Sequence, residues 1–163
     1  MALIIETGAQ VAGANSFTTD AEFTAHALAR GVTLPATEAE RDILQIKAVD
    51  YLFSKESLMQ GSRIAKTQAL MYPRNGVSVH GFDVDSDEIP EQLKSAQLEA
   101  GIALSTQEIL INSSSSNVTK EKVDVIEVEY SDGGKYDFVR LDKVDTYLKP
   151  LLTTSSFSRV MRA

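Results

Sequence analysis

Hydrophobic positions in this chain recur first at helical spacing and later at strand spacing. Thr19 and Glu22 stand three apart, ahead of Phe23, Ala27 and Arg30, which share one helical face. That spacing predicts a short helix to about residue 30, opened by a capping box and stopped at Gly31. Thr37 and Glu40 repeat the pattern and open the longest helix, over residues 37–53. Its apolar residues fall into two groups on a 3.6-residue wheel. Leu44, Ala48, Tyr51 and Leu52 lie on one side; Ile43, Ile46, Val49 and Phe53 lie roughly opposite. A helix apolar on two sides is either central in a bundle or packed against both its own core and a neighbouring subunit.

An apolar turn over residues 67–71 is closed by Tyr72-Pro73, because proline lacks a donor and biases the preceding residue towards extended backbone. Asn75-Gly76 opens a glycine-punctuated loop, and an acidic run over residues 83–88 follows. Pro90 then suits the first turn of a helix reaching about residue 104. Leu93, Ala96, Gln97, Ala100 and Leu104 form one stripe, and Leu98 and Ile102 a second. Past the serine-rich stretch 112–117 the period becomes two. Residues 122–130 alternate, with a break in phase at Val125-Ile126 that a bulge accommodates. Asp132-Gly133-Gly134 predicts a hairpin turn into a second strand over 135–140. Val144, Tyr147, Leu148 and Leu151 return to helical spacing, limited by Pro150.

The pattern predicts a mainly α chain: a helical bundle with a β-hairpin and extended N- and C-terminal arms. Residues 1–17 form the N-terminal arm, 18–111 the bundle, 118–140 the hairpin, 141–152 a short helix and 153–163 the C-terminal arm. At 163 residues this is a single domain able to bury a sizeable core. No apolar run approaches the roughly 18 residues of a membrane span. The apolar start lacks the basic flank of a secretory signal. Cysteine is absent, which excludes disulfides and thiolate chemistry.

Candidate chemistry is sparse. The segment from Gly61 to Thr67 departs from a phosphate-binding loop, with Lys66 where the second glycine belongs. Asp83, Asp85 and Asp87 alternate like calcium ligands, but Glu88 and Lys94 stand where that loop needs Gly and Glu. His26 reads as a helix-surface or core-edge residue, and His80 as a loop residue that is solvated or bonded to a carboxylate. The residues therefore predict no enzyme, no metal and no cofactor. A net charge of −7 argues against a protein whose main business is gripping phosphates. The nearest approach to a nucleic-acid contact is Arg63, Lys66, Tyr72 and Arg74. The C-terminal Phe157, Arg159, Val160, Met161 and Arg162 combine residue types enriched in interface cores, so the tail reads as an anchor.

Several motifs carry a resemblance. They are Gln68-Ala69-Leu70, Tyr72-Pro73-Arg74, Gly76-Val77, the run Asp85-Ser86-Asp87-Glu88-Ile89-Pro90, and Leu93-Lys94 with Ala96-Gln97 and Glu99-Ala100. With residues 2–17, Leu148-Lys149-Pro150-Leu151-Leu152 and the arginine-flanked end, they resemble a tailed-phage virion family. Its members are often labelled "putative DnaT-like single-stranded DNA-binding protein" and are grouped with head-to-tail adaptor proteins. The resemblance implies a structural virion protein at the head–tail junction, made in the host cytoplasm. It would be a twelve-subunit ring joining the portal protein to a tail or nozzle protein and lining the channel for the passing genome DNA. In that setting Phe157, Arg159, Val160, Met161 and Arg162 would bind the portal. Ile43, Ile46, Val49, Phe53, Leu98 and Ile102 would face neighbouring subunits. The alternative is the function in the label, a single-stranded DNA-binding replication protein, which wants basic residues beside stacking aromatics.

Overall fold

The computed structural model describes residues 2–106, 120–123, 126–129 and 141–153. The chain divides into two compact units, Met1–Gln107 with Leu141–Ala163, and Glu108–Arg140.

In the first unit, α1 (Asp20–Leu28) begins as its sequence predicts. The Glu22 N–H donates to Thr19 Oγ1 at 3.2 Å, and Glu22 Oε2 accepts from the Thr19 N–H at 2.7 Å. Together these satisfy two donors that a helix start leaves open. Gly31 follows with φ 67°. α2 (Glu38–Phe53) is capped by Thr37, whose side chain accepts from the Glu40 N–H. Arg41 ties the two starts together through a bidentate pair with Asp20, at 2.6 and 2.7 Å. The hydrogen bond from Arg41 is the main reason the Asp20 carboxyl is held below its ordinary range. α3 (Glu91–Thr106) follows Pro90, whose carbonyl accepts from the Leu93 N–H. α4 (Asp142–Leu148) runs directly into a 3-10 turn, Lys149–Leu151. α3 packs against α1, α2 and α4.

The buried face of α2 differs from the one the wheel predicts. Asp42, Gln45, Ala48, Val49 and Leu52 point inward, while Ile43 is 46% exposed. A polar seam explains the rotation. Thr18 Oγ1 donates to Gln45 Oε1 at 2.6 Å. Gln97 Oε1 accepts from the Phe17 N–H at 2.9 Å, and its Nε2 donates to Ser16 Oγ at 2.7 Å. Amides therefore fill positions where an apolar count looks for aliphatics. Hydrogen bonding makes the burial of Gln97 and of the Gln45 oxygen tolerable, while Gln45 Nε2 meets no partner among the described residues.

Residues 2–17 are not an extended arm. Ile5 and Ser16 form a β-bridge, and Ala14 and Phe17 are buried in the core. The buried Glu6 carboxylate accepts from the N–H groups of Gly8, Gln10 and Val11 at 2.9–3.0 Å, which closes the segment into a tight loop. The core joins Phe17, Leu52, Met71, Tyr72, Leu93, Leu148 and Leu151, among others. Each such side chain contributes roughly 1.5–3 kcal/mol on burial.

β1 (Ser62–Arg63) pairs antiparallel with β2 (Arg74–Asn75), and β3 (Val77–Val79) with β4 (Phe82–Val84). In the second unit β5 (Lys120–Val123) pairs antiparallel with β6 (Ile126–Glu129), placing Val123 opposite Ile126. The predicted first strand, 122–130, is thus divided between two strands, and the predicted bulge position at Val125-Ile126 lies partly outside the described residues. The predicted second strand, 135–140, lies outside the described residues, as does the proposed anchor Phe157, Arg159, Val160, Met161 and Arg162. The fold is mainly α with small antiparallel β pairs.

Candidate nucleic-acid interface

The segment between α2 and α3 holds all four candidate DNA contacts, and it uses three of them internally. Arg63 donates from Nε and Nη2 to the Glu56 carboxylate at 2.6 and 2.8 Å. Arg74 lies opposite Arg63 in the β1–β2 pair. It donates to the carbonyls of Gln60 and Gly61 at 2.7 and 2.8 Å and contacts Glu56 at 3.4 Å. Glu56 is held below its ordinary carboxyl range, chiefly by the hydrogen bond from Arg63. Gln68 fixes the connecting loop by accepting from the Ile64 and Ala65 N–H groups and donating to the Leu70 and Pro73 carbonyls.

Tyr72 is 0% exposed, and burial raises its phenol to about 12. Its ring faces the core, with the Arg74 guanidinium 5.9 Å from its centroid. A ring so placed offers no face to a base. Arg63, Tyr72 and Arg74 therefore shape the loop, and Lys66 alone of the four is exposed.

The proposed subunit-facing residues are dispersed in the same way. Val49 belongs to the chain's own core and Leu98 is buried, so neither is available to a neighbour. Ile43 is exposed, while Ile46, Phe53 and Ile102 are half-buried.

The β3–β4 hairpin is the feature the sequence reading missed. Its register sets Val77 opposite Val84 and Val79 opposite Phe82. The two connecting residues, His80 and Gly81, both have positive φ, 54° and 86°. That is the backbone a two-residue hairpin turn of matching twist requires, and glycine adopts it freely. Val77 and Val79 face the core, β3 packs against the 3-10 turn Lys149–Leu151, and the Ser78 N–H donates to Gln60 Oε1. So anchored, the hairpin presents Phe82 at 78% exposure. It is the one exposed aromatic side chain among the described residues. Lys149, on the turn that β3 touches, is exposed and has no ion pair among the described residues. At the root of the hairpin, Gln60, Gly61, Gly76 and Thr153 line a shallow polar cleft of roughly 350 Å³. The alternation of Val77, Val79, Phe82 and Val84 about His80-Gly81 was a legible signal for it.

A second polar cluster lies where α1, α3 and α4 meet. The buried Glu99 carboxylate is contacted by Arg30 Nε at 2.7 Å, Lys143 Nζ at 2.8 Å and His26 Nε2 at 3.0 Å. Burial is the largest single influence on Glu99 and acts upward. Hydrogen bonds from Lys143 and His26, with the charges of Lys143 and Arg30, outweigh it and hold the carboxyl below its ordinary range. His26 is held below its ordinary value, first by burial. The imidazole is therefore neutral near pH 7 and donates from Nε2. His26 is thus a core-edge residue, as its sequence context predicts, with a carboxylate partner contributed from α3.

Among the described residues no group of three His, Asp or Glu side chains is disposed to hold a metal, and no helix is long and apolar enough to cross a membrane. These features define a mainly α protein with an exposed aromatic ring on a short hairpin beside an acidic run. The chain belongs to the family described as "Putative DnaT-like ssDNA binding protein", whose model matches residues 1–163. No curated protein and no solved structure matches it. The family description corrects the main functional expectation. It names single-stranded DNA binding and carries nothing of a virion connector, so the head-to-tail adaptor reading gives way to its alternative.

Proposed function

We propose that this protein binds single-stranded DNA, with Phe82 as a stacking platform and Lys149 as a nearby phosphate partner. The observation that carries the reading is the family match across residues 1–163. The hairpin supplies a place for the contact. Every base has a π face, and an unpaired base can lie on an exposed ring without sequence preference. Two-residue turn geometry and buried valines hold the backbone that carries that ring in place. In this reading α1–α4 form a small helical bundle as scaffold. Residues 153–163 act as an arm whose Arg159 and Arg162 add cations suited to the same ligand.

Fluorescence anisotropy with a short oligothymidylate, and with a duplex of equal length, tests the proposal. The single strand is expected to bind in preference to the duplex. Loss of one stacked base removes roughly 1–3 kcal/mol, so Phe82→Ala should raise Kd by about 5- to 150-fold. Because Phe82 carries no charge, the slope of affinity against salt should stay unchanged. Equal affinity for the duplex, or a Phe82→Ala protein that binds as well as the parent, refutes it.

A further inference from the structure

We propose that Arg30 and Lys143, held by Glu99, form a second contact for the single strand and take one of its backbone phosphates. The inference extends the single-strand reading above to a site on different helices. Charge and geometry carry it. One buried carboxylate is met by two permanent cations, at 2.7 and 2.8 Å, so the cluster bears a surplus of one positive charge. The surplus faces solvent: the Lys143 side chain is 62% exposed and that of Arg30 34%, against 2% for Glu99.

Both cations keep donors in reserve. Arg30 uses Nε on Glu99 and Nη1 on the His26 carbonyl, and Lys143 uses one of its three ammonium protons. Each head group is fixed to an oxygen of the same carboxylate, so the two stand close together without a further ordering cost on binding. Exposed positions on α4 then continue from Lys143 through Thr146 to Lys149, on the turn against which β3 packs. A strand stacked on Phe82 thereby has Lys149, on the turn that β3 packs against, and then Lys143 as cations, with Asp142 and Asp145 on the same helix as Lys143.

Lys143→Gln is the informative variant, because its exposed side chain can change without disturbing the core. Arg30→Lys keeps the charge and removes the fork. Lys47→Gln, at an exposed position on α2, is the control. In the oligothymidylate titration Lys143→Gln should lower the slope of log affinity against log salt by about 0.7. Arg30→Lys should weaken binding at an unchanged slope, and Lys47→Gln should match the parent. A separate measurement uses no DNA. Inorganic phosphate titrated into the protein should move the His26 ring resonances saturably in the parent, and not in Lys143→Gln.

A Lys143→Gln slope equal to the parent's, or a His26 response that survives that substitution, overturns the inference and leaves the Phe82 reading standing. A parent that binds no oligothymidylate yet shows the Lys143-dependent response overturns the single-strand reading. In that outcome the cation site stands as one for free phosphate.

Discussion

Replacing Glu99 with glutamine removes the single charge on which α1, α3 and α4 converge, at nearly constant volume. Its three partners differ in shelter. The Lys143 side chain is 62% exposed, and a pair so open to water contributes less than about 1 kcal/mol. His26 and Arg30 are more enclosed, at 12% and 34%. A hydrogen bond to a charged group contributes roughly 1.5–3 kcal/mol where water is excluded, and less where, as at Arg30, it is not. The variant should lose roughly 2–4 kcal/mol. For a chain of this length that lowers Tm by about 4–16 °C.

The dependence on pH gives a second reading. Glu99 lies below its ordinary value of 4.5 in the folded protein, so the unfolded chain takes up that proton first. Its contribution is present above about pH 4.5 and is lost as pH falls through the folded value. His26 lies below 6.5, so the unfolded chain binds its proton first as well, and stability falls as pH drops from about 6.5 through its folded value. Both groups erode stability in acid. Glutamine removes the first loss, so the fall below about pH 4.5 should flatten. Urea melts followed by circular dichroism from pH 7 to pH 3 measure both effects. A variant within about 0.5 kcal/mol of the parent, with the same acid limb, refutes the role given to the cluster.

Two further substitutions test the packing around the candidate site. A Cβ added at Gly8, where φ is 103°, would sit on the Asp87 carbonyl oxygen, so Gly8→Ala should destabilise by roughly 2–5 kcal/mol in denaturant melts; a loss within about 0.5 kcal/mol would show that the N-terminal loop does not pack as described. The Tyr72 hydroxyl is buried and meets no partner among the described residues, so Tyr72→Phe should be neutral or stabilise by about 1 kcal/mol with unchanged DNA binding; a marked loss of either would show that the hydroxyl has a role.

Helix starts were legible because capping depends on neighbours in sequence. Thr19 with Glu22, Thr37 with Glu40, and Pro90 place three helices from local chemistry alone. What faces inward was less legible, because it depends on partners distant in sequence. Gln97 falls within the predicted stripe of α3 and is held there by bonds to Ser16 and Phe17, whereas Gln45, bonded to Thr18, stands outside both predicted apolar groups of α2 and is buried all the same. Glu99 reads as one more helix-surface acid until α1, the turn after it and α4 bring the His26 imidazole and the Arg30 and Lys143 cations to it. The DNA candidates misled for a related reason. A tyrosine beside arginines looks like a stacking site in sequence, yet Tyr72 is in the core and Glu56, 7 residues before Arg63 and 18 before Arg74, pairs with both arginines. The exposed aromatic is Phe82, obscured in the sequence by the acidic residues that follow it.

In the single-strand reading proposed above, those acidic residues bear on selectivity in a chain of net charge −7. At least four of its 23 acidic side chains are committed internally: Glu6 to backbone donors, Asp20 to Arg41, Glu56 to Arg63 and Arg74, Glu99 to its three partners. Asp83, Asp85, Asp87 and Glu88 remain exposed beside Phe82. A duplex presents a dense row of phosphates and no free base face, so that surface repels it and offers nothing in return. A flexible single strand can turn a base onto Phe82 and direct its phosphates towards Lys149 and Lys143. In that reading, acidity next to Phe82 weakens binding overall while disfavouring the duplex more. Neutralising Asp83 and Asp85 together should raise affinity for both forms of DNA and narrow the difference between them.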